Sequence, residues 1–210
     1  MGNANLGAFG WTRDSAYAFV KLEEALDRLY AVSPITRCIL PEHTKSTPKR
    51  VTEVFADLYS GCLKDPKSML KTKFSADGYD EIVYVNNIKF VSTCAHHGLP
   101  FFGKSHFAYM PGKEIIGLSK IPRMIDILAR RPQVQEKLTH EIVKVFAEEM
   151  KPKGCGLVME GYHLCMMIRG VKNDSAYTKT TSLYGSFKRN AAQKAEFLDG
   201  VRQVGGQVWP

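Results

Sequence analysis

The sequence lacks any apolar run close to the roughly 18 residues that a membrane-spanning helix needs. Residues 1–7 contain neither a basic nor an apolar segment, which argues against a secretory signal peptide, and Leu6 stands where a myristoylation site has Ser or Thr. The cysteines are odd in number and unevenly spaced, unlike a disulfide framework: Cys38, Cys62, Cys94, Cys155 and Cys165. These absences predict a soluble, cytoplasmic protein in a reducing compartment.

Several sequence motifs of well-known function classes are also missing. The chain has no phosphate-binding P-loop and no dinucleotide glycine fingerprint. It has no Gly-x-Ser-x-Gly nucleophile elbow, so a hydrolase of that type is unsupported. A basic run, a helix-turn-helix pattern and an aromatic-plus-glycine RNA signature are absent as well. We therefore expect neither nucleic acid nor a membrane among the partners.

The composition is that of a globular protein with an excess of positive charge. The 210 residues, 44% of them hydrophobic, suffice to bury one sizeable core. The formal net charge of +8 fits an anionic partner such as nucleic acid, a membrane surface or a phosphorylated small molecule. A basic surface that merely keeps the protein soluble is the alternative interpretation.

Helical patterns dominate the first quarter of the chain. Apolar residues at helical spacing follow Arg13 and include Phe19, and Pro34 should end that helix. A second helix opens with Thr47 as N-cap and Pro48 at its first helical position, and Gly61 should stop it. The apolar face predicted for this second helix consists of Val51, Val54, Phe55 and Leu58.

From residue 80 onward, β-rich and helical patterns form separate blocks. The predicted strands are 82–85 and 88–91, split at Asn86-Asn87, then 101–110, a short strand or turn at 114–118, and 156–160 and 163–171, joined at Gly161. The predicted helices are one capped by Ser119, a longer one starting at Pro132 and ending at 151–154, and a short one at 192–201. Helices segregated from antiparallel strands indicate an α+β fold.

A thiol and two imidazoles crowd into four residues at the end of a strand-like run: Cys94, His96 and His97. A second cluster, with His163 and Cys165, follows another strand-like run downstream. Cys94 and His97 stand three apart on a turn, and Cys165 could complete a three-ligand site if the fold joins the two strand ends. His96 and His163 are left over for proton transfer. Chemistry alone leaves a catalytic zinc, a structural metal and no metal all open.

Several cations could form a phosphate clamp if the fold brought them together: Arg50, Lys120, Arg123 and Arg169. Lys120 and Arg123 follow Ser119 at a helix start, where exposed N–H groups favour an anion. Arg169 stands four residues past Cys165 and is expected on the same face of a strand. For each cation alone, solvated surface is the alternative.

Gln135 and Glu136 lie in the long predicted helix. Glu136 fits a solvated helix face, but a buried carboxylate there could accept two N–H bonds from a guanine-like edge. Spacing alone does not decide between these two interpretations.

The chain resembles the GTP cyclohydrolase I family from about Thr47 to Leu198. The resemblance rests on motifs in order: Thr47-Pro48-Lys49-Arg50-Val51, Ser92-Thr93-Cys94-Ala95-His96-His97, Ile116-Gly117-Leu118-Ser119-Lys120 with Arg123, Ala129-Arg130-Arg131-Pro132-Gln133-Val134-Gln135-Glu136, His163-Leu164-Cys165-Met166 with Arg169, residues 178–182, and Glu196-Phe197-Leu198. Residues 1–40 match only loosely. A chance match of so many ordered motifs is negligible.

The resemblance implies a tunnelling fold, in which antiparallel strands with a helix pair assemble into a β-barrel ring. It implies a homodecamer of two pentameric rings with active sites between subunits. The implied domains are an N-terminal helical extension (1–46), a catalytic domain (47–203) and a flexible tail (204–210). The implied reaction opens the guanine ring of GTP at C8, releases formate and forms 7,8-dihydroneopterin triphosphate, at the entry to a pterin, folate or deazapurine pathway.

The resemblance also implies roles for individual residues. Cys94, His97 and Cys165 match the family's ligands to a Zn²⁺ ion whose fourth position holds the attacking water. His96 matches the proton donor to the purine, while His163 and Gln135 match the residues that handle and orient the water. The residues that match substrate contacts are Glu136 for the guanine edge, Ser119, Lys120, Arg123 and Arg169 for the sugar and triphosphate, and Arg50 from a neighbouring subunit.

One residue departs from the family pattern, which reads Cys-Glu-His-His where this chain has Ala95. If the missing carboxylate orients a metal ligand, its loss would cost about 10- to 100-fold in activity. If it makes only a surface ion pair, the loss would matter little. Two alternatives to an active GTP cyclohydrolase are open. One is a guanine-nucleotide-binding relative with altered substrate or lost ring opening, and the other is a different tunnelling-fold enzyme such as a deazaguanine reductase.

Overall fold

The computed structural model describes residues 11–32, 42 and 45–202. The predicted tail at 204–210 and the predicted helix stop at Pro34 lie outside the described residues. The chain divides into two compact units between Leu63 and Lys64. The boundary predicted between residues 46 and 47 follows family motifs rather than compactness and stays a prediction. Among the described residues, no helix is long and apolar enough to span a membrane.

The first unit contains the two predicted helices, α1 (Arg13–Val32) and α2 (Thr47–Leu58), and a 3₁₀ turn at Ser60–Leu63. Trp11 packs edge-on against Phe19, with ring centroids 4.7 Å apart, and its indole N–H donates to the Ala56 carbonyl at 3.0 Å. Both helices lie where the sequence pattern predicted them.

Two details of α2 were predicted wrongly. Thr47 is already helical, and Ser46 takes the N-cap position without a side-chain cap bond. The buried residues are Pro48, Thr52 and Ala56, whereas Val54 is 55% exposed. Ala56 and Phe19 form a small buried cluster against which Phe55 packs. The predicted face is therefore right at Phe55 and wrong at Val54.

The second unit is an α+β domain built on a five-stranded sheet. Its strands are β1 (Lys73–Ser75), β2 (Val83–Cys94), β3 (Pro100–Met110), β4 (Glu114–Ile116), β5 (Pro132–Gln133), β6 (Gly154–His163) and β7 (Thr178–Gly185). Its helices are α3 (Lys120–Ala129), α4 (Gln135–Met150), α5 (Leu164–Met167), α6 (Ser186–Arg189) and α7 (Ala191–Arg202), after a 3₁₀ helix at Pro66–Leu70. The sheet order is β5-β2-β3-β6-β7, and β1 pairs separately with β4.

The two strands predicted on either side of Asn86-Asn87 form one strand, β2, with a shift of register between Val85 and Ile88. Asn87 has a positive φ of 56°, a conformation that Asn tolerates better than most residues. Such a bulge bends a strand without ending it. The pair therefore marks an irregularity in β2 rather than a turn.

The two strands predicted from 156 to 171 were also wrong. β6 runs straight through Gly161, and the chain then makes the single helical turn α5, so Arg169 does not share a strand face with Cys165. Gly161 pairs with Gly103 in the ladder, and a Cβ at Gly161 would lie 2.5 Å from the side-chain oxygen of Gln135. The glycine thus provides room for a buried side chain inside a strand.

The long helix begins at Gln135, not at Pro132. Pro132 and Gln133 instead form β5, which pairs in parallel with Thr93 and Cys94 at the end of β2. A proline is tolerated there because β5 is an edge strand. This pairing places the start of α4 beside the end of β2, where Cys94 lies.

The main core lies between the sheet and helices α3 and α4. Phe107 is fully buried and meets Phe146 of α4 edge-on, with ring centroids 4.7 Å apart. A second cluster, with Phe187 and Phe197, packs α6 and α7 on Ala108 and Val158, which share the other face of the sheet. Helices thus cover both faces of the sheet at its central strands.

Replacing Phe107 by Ala is expected to lower the free energy of unfolding by about 3–5 kcal/mol, because a large buried ring leaves a cavity. Denaturant titration at fixed protein concentration measures this loss. Phe74→Ala is the matched control, since Phe74 is 56% exposed. Equal losses in the two variants would contradict the assignment of the core.

Candidate metal centre

Three side chains from distant parts of the chain converge at one end of the sheet. The ligand atoms of Cys94, His97 and Cys165 all lie within 4.8 Å of one another. The two sulfur atoms are 3.8 Å apart, and the Cys94 sulfur is 3.5 Å from Nδ1 of His97. The fold therefore brings Cys165 to Cys94 and His97, from which it lies far apart in the sequence.

A tight turn between β2 and β3 holds the first two of these residues. The carbonyl of Cys94 accepts bonds from the N–H groups of His97 and Gly98, at 3.3 and 2.9 Å, and the N–H of Cys94 donates to Leu99 at 2.8 Å. Gly98 has φ +66°, which favours glycine. The N–H of Ala95 donates to the Gln133 carbonyl at 3.0 Å and ties the turn to β5. Main-chain bonds thus fix this turn.

The donor set fits a metal ion. Two thiols and an imidazole are zinc-type ligands, and three protein ligands are the pattern of a site that keeps one position open. Burial raises the pKa of the Cys165 thiol, and the neighbouring Cys94 sulfur raises it further, whereas Arg169 lowers it. A bound cation reverses this preference because it favours the thiolate. Among the described residues, no fourth Cys, His, Asp or Glu joins the group.

His163 stands at the end of β6, next to this group. Its ring stacks on Phe101, with centroids 4.5 Å apart and planes 2° from parallel. Its Nε2 lies 2.9 Å from the side-chain oxygen of Gln135. Burial lowers the pKa of His163, and the Glu136 carboxylate opposes this shift to a smaller extent. The ring is therefore held in place by one stacking partner and one hydrogen bond.

The side-chain amide of Gln135 is buried and almost fully bonded. Its nitrogen has three acceptors in reach for its two hydrogens, namely the carbonyls of Met159 and Thr178 at 3.2 and 2.9 Å and the hydroxyl of Thr180 at 3.1 Å. The Thr139 hydroxyl lies 2.6 Å from the Thr180 hydroxyl and donates to the main-chain carbonyl of Gln135 at 2.7 Å. Two main-chain carbonyls thus fix which end of the amide faces His163.

This arrangement determines the tautomer of neutral His163. Carbonyl oxygens only accept, so the amide atom that faces Met159 and Thr178 is the nitrogen, and the atom that faces His163 is the oxygen. The ring must then carry its hydrogen on Nε2. Its Nδ1 is left with a lone pair that can accept a proton.

Most of the remaining predicted site residues are exposed. His96 is exposed, with Nδ1 4.0 Å from the Cys94 sulfur. Glu136 is exposed in the first turn of α4, beside the buried Gln135. Ser119 has the N-cap position of α3 without a side-chain cap bond. The predicted cations are Lys120 and Arg123 in the first turn of α3, exposed Arg169 just beyond α5, and Arg50 in the other compact unit.

Comparison with known proteins decides the family. The family model for GTP cyclohydrolase I matches residues 33–202. The chain belongs to this family. It is 42% identical over 156 residues to a GTP cyclohydrolase 1 of Wolinella succinogenes, covering 74% of this chain and 83% of that protein. It is 44% identical over 161 residues to one of Campylobacter lari, covering 75% and 85%.

A crystal structure of the archaeosine synthase QueF-Like in the apo form aligns with a TM-score of 0.42 and 12% sequence identity. The alignment covers 50% of this chain and 93% of that one.

Sequence reasoning missed the residues that support Gln135 and His163 in this cyclohydrolase-family chain. The Thr180 hydroxyl lies beside the amide nitrogen, Thr139 bonds that hydroxyl, and Phe101 stacks on the imidazole. Thr139 offered a signal, because it is a polar residue one turn after Gln135 on a buried helix face. Nothing local marked Phe101, whose role depends on the register of β3 with β6.

Replacing Cys165 by Ala is expected to reduce bound metal from about one ion per chain to near zero after dialysis, because it removes one of three ligands. Elemental analysis by mass spectrometry measures the content. Cys62→Ala is the control, since Cys62 is an exposed cysteine outside the group. Full metal content in the Cys165 variant would contradict the assigned ligands.

Gly161→Ala is expected to push the Gln135 amide away from His163, because the new Cβ would lie 2.5 Å from its oxygen. We expect a crystal structure of the variant to show the bond to His163 broken, with a loss of about 1–3 kcal/mol in unfolding free energy. Gly117→Ala is the control, since its Cβ would meet nothing closer than 3.8 Å. An unchanged Gln135–His163 distance would refute the packing argument.

Proposed function

We propose that this chain is a zinc-dependent GTP cyclohydrolase that opens the guanine ring of GTP, releases formate and forms 7,8-dihydroneopterin triphosphate. The observation that carries this proposal is the convergence of Cys94, His97 and Cys165 in a member of the GTP cyclohydrolase I family. The relatives that match this chain bear the same enzyme name. Two sulfurs and one nitrogen suit zinc better than a hard cation such as Mg²⁺.

Zinc bound by these three residues would supply a Lewis acid that activates water at neutral pH. The chain's own residues would handle the protons. His163, held as the Nε2–H tautomer, has Nδ1 free to accept a proton from the water that attacks C8. His96, exposed beside the ligands, would donate a proton to the purine. Gln135 acts through His163, whose orientation and tautomer it fixes.

The substrate contacts follow from family membership and charge. Glu136 would accept two N–H bonds from the guanine edge, since a carboxylate with two oxygens matches that pair of donors. Ser119, at the start of α3, would contact the sugar and phosphates with the cations of that region. These cations are Lys120, Arg123 and Arg169, together with Arg50 from a neighbouring subunit. The excess of basic residues supports an anionic substrate.

We further propose the assembly of the family, a decamer of two pentameric β-barrel rings of the tunnelling fold. In the described residues, the outer edge of β7 has no strand partner, and β2 pairs on its outer side only at Thr93 and Cys94. Unpaired edges of a sheet are ready sites for strand pairing with another copy. In this scheme residues 47–203 are the catalytic domain, 1–46 an extension and 204–210 a tail.

A reducing location is part of the proposal, because thiol ligands must stay reduced to bind metal. We therefore propose a cytoplasmic enzyme. This location agrees with the thiols of Cys94, Cys155 and Cys165, none of which forms a disulfide in the structure.

The proposal is tested by incubating the zinc-loaded protein with GTP. We expect formate release and, after oxidation and dephosphorylation, the fluorescence of neopterin, with both lost in Cys165→Ala and kept in Cys62→Ala. GTP that binds and is recovered intact would instead show a nucleotide-binding relative without ring opening. Oxidation of a nicotinamide cofactor with a deazaguanine substrate would indicate a reductase.

Ala95 is expected to be a tolerated departure from the family pattern. Its side chain is exposed, and the turn that carries the ligands is held by main-chain bonds. We expect Ala95→Glu to change kcat by less than about threefold, since an exposed ion pair contributes little. A rescue of about tenfold or more would show that the missing carboxylate orients a site residue.

A further inference from the structure

The side-chain amide of Gln135 has a third partner besides the two carbonyls that orient it. This partner is the hydroxyl of Thr180, 3.1 Å from the amide nitrogen. The same hydroxyl lies 2.6 Å from the hydroxyl of Thr139. Thr180 belongs to β7, whereas Thr139 lies one turn after Gln135 on α4. The two threonines therefore join the helix that carries the amide to a strand that holds it.

The donors and acceptors of this group can be assigned. A threonine hydroxyl has one hydrogen, and Thr139 donates its hydrogen to the main-chain carbonyl of Gln135 at 2.7 Å. The contact between the two hydroxyls must then use the hydrogen of Thr180. With that hydrogen taken, Thr180 can only accept toward Gln135, which suits the amide nitrogen and excludes the amide oxygen. The hydrogen bonds thus run in one direction, from the amide through Thr180 to Thr139.

Burial makes these bonds effective. Thr139 and Gln135 are each 1% exposed, so water competes little for their polar groups. At the other end of the amide, its oxygen lies 2.9 Å from Nε2 of His163. A glutamine side chain has several rotatable bonds, and it keeps one position only when both of its ends are held. Thr180 helps to hold the nitrogen end, and so the oxygen end stays on the imidazole.

We propose that Thr139 and Thr180 are positioning residues for ring opening, since they hold the Gln135 amide in contact with His163. The inference rests on the proposed function, in which Nδ1 of His163 accepts a proton from the attacking water. It adds two residues that act through Gln135 rather than on the substrate. Because proton transfer belongs to the chemical step, their loss is expected to lower kcat and to leave KM almost unchanged.

Two variants that differ only in the hydroxyl test this role in the zinc-loaded protein. Thr180→Ala lacks the hydroxyl and Thr180→Ser keeps it, while both lose the methyl group. We expect kcat of the Ala variant to be about tenfold below that of the Ser variant, as for one lost hydrogen bond, with KM for GTP within about twofold. The control is the same pair of changes at Thr181, which is exposed and lies on the opposite face of β7. Equal Ala-to-Ser ratios at the two positions, or a change in KM alone, would overturn the proposal.

A double-mutant cycle tests whether the two threonines act together. Thr139→Ala should lower kcat as well, because the Thr180 hydroxyl loses the acceptor of its hydrogen. The double variant should then be at most about twofold slower than the slower single variant. Losses in kcat that multiply in the double variant would overturn the joint role.

A crystal structure of Thr180→Ala gives a result that needs no turnover. We expect the Gln135 amide to leave its 2.9 Å contact with His163 or to divide between two conformers, and we expect Thr180→Ser to keep the contact. A single amide conformer at the wild-type distance in the Ala variant would overturn the proposal. A wild-type protein that releases no formate would refute the proposed function alone, and the two crystal structures would still decide whether Thr180 positions the amide.

Discussion

The pairing of β3 with both β2 and β6 is the constraint on which the candidate site depends. Cys94 ends β2 and Cys165 follows β6, so the two thiols are 71 positions apart in sequence and 3.8 Å apart in space. The same register sets Phe101 opposite His163 and so supplies the stacking partner of the imidazole. A slip of one residue in either ladder would turn these side chains to the other face of the sheet.

Around this sheet end, support comes more from the main chain than from side chains. The turn from Cys94 to Leu99 is closed by backbone bonds, and the amide of Gln135 is oriented by two backbone carbonyls. Such support does not depend on the identity of neighbouring side chains. The geometry of the Cys94 to Leu99 turn therefore does not require a particular side chain at Ala95.

The longer helices and the α+β class were predictable from the sequence because hydrophobic periodicity is a local signal. Local clusters of Cys and His likewise marked Cys94, His97 and Cys165 as candidates for one site. The errors arose where a residue type with a common local meaning served a tertiary contact. Gly161 was taken for a turn, but it makes room for Gln135 inside β6. Pro132 was taken for a helix start, but it pairs with Thr93 at the sheet edge. Roles that depend on strand register, such as that of Phe101, had no local signal.

The central claim is that Cys94, His97 and Cys165 hold a catalytic zinc ion, and X-ray absorption spectroscopy at the zinc edge tests it most directly. The account predicts two sulfur ligands at about 2.3 Å and one nitrogen at about 2.0–2.1 Å, with a light-atom fourth ligand from solvent. Cys165→Ala should leave at most one sulfur in the spectrum. Four protein ligands, or a zinc spectrum without sulfur, would contradict the account.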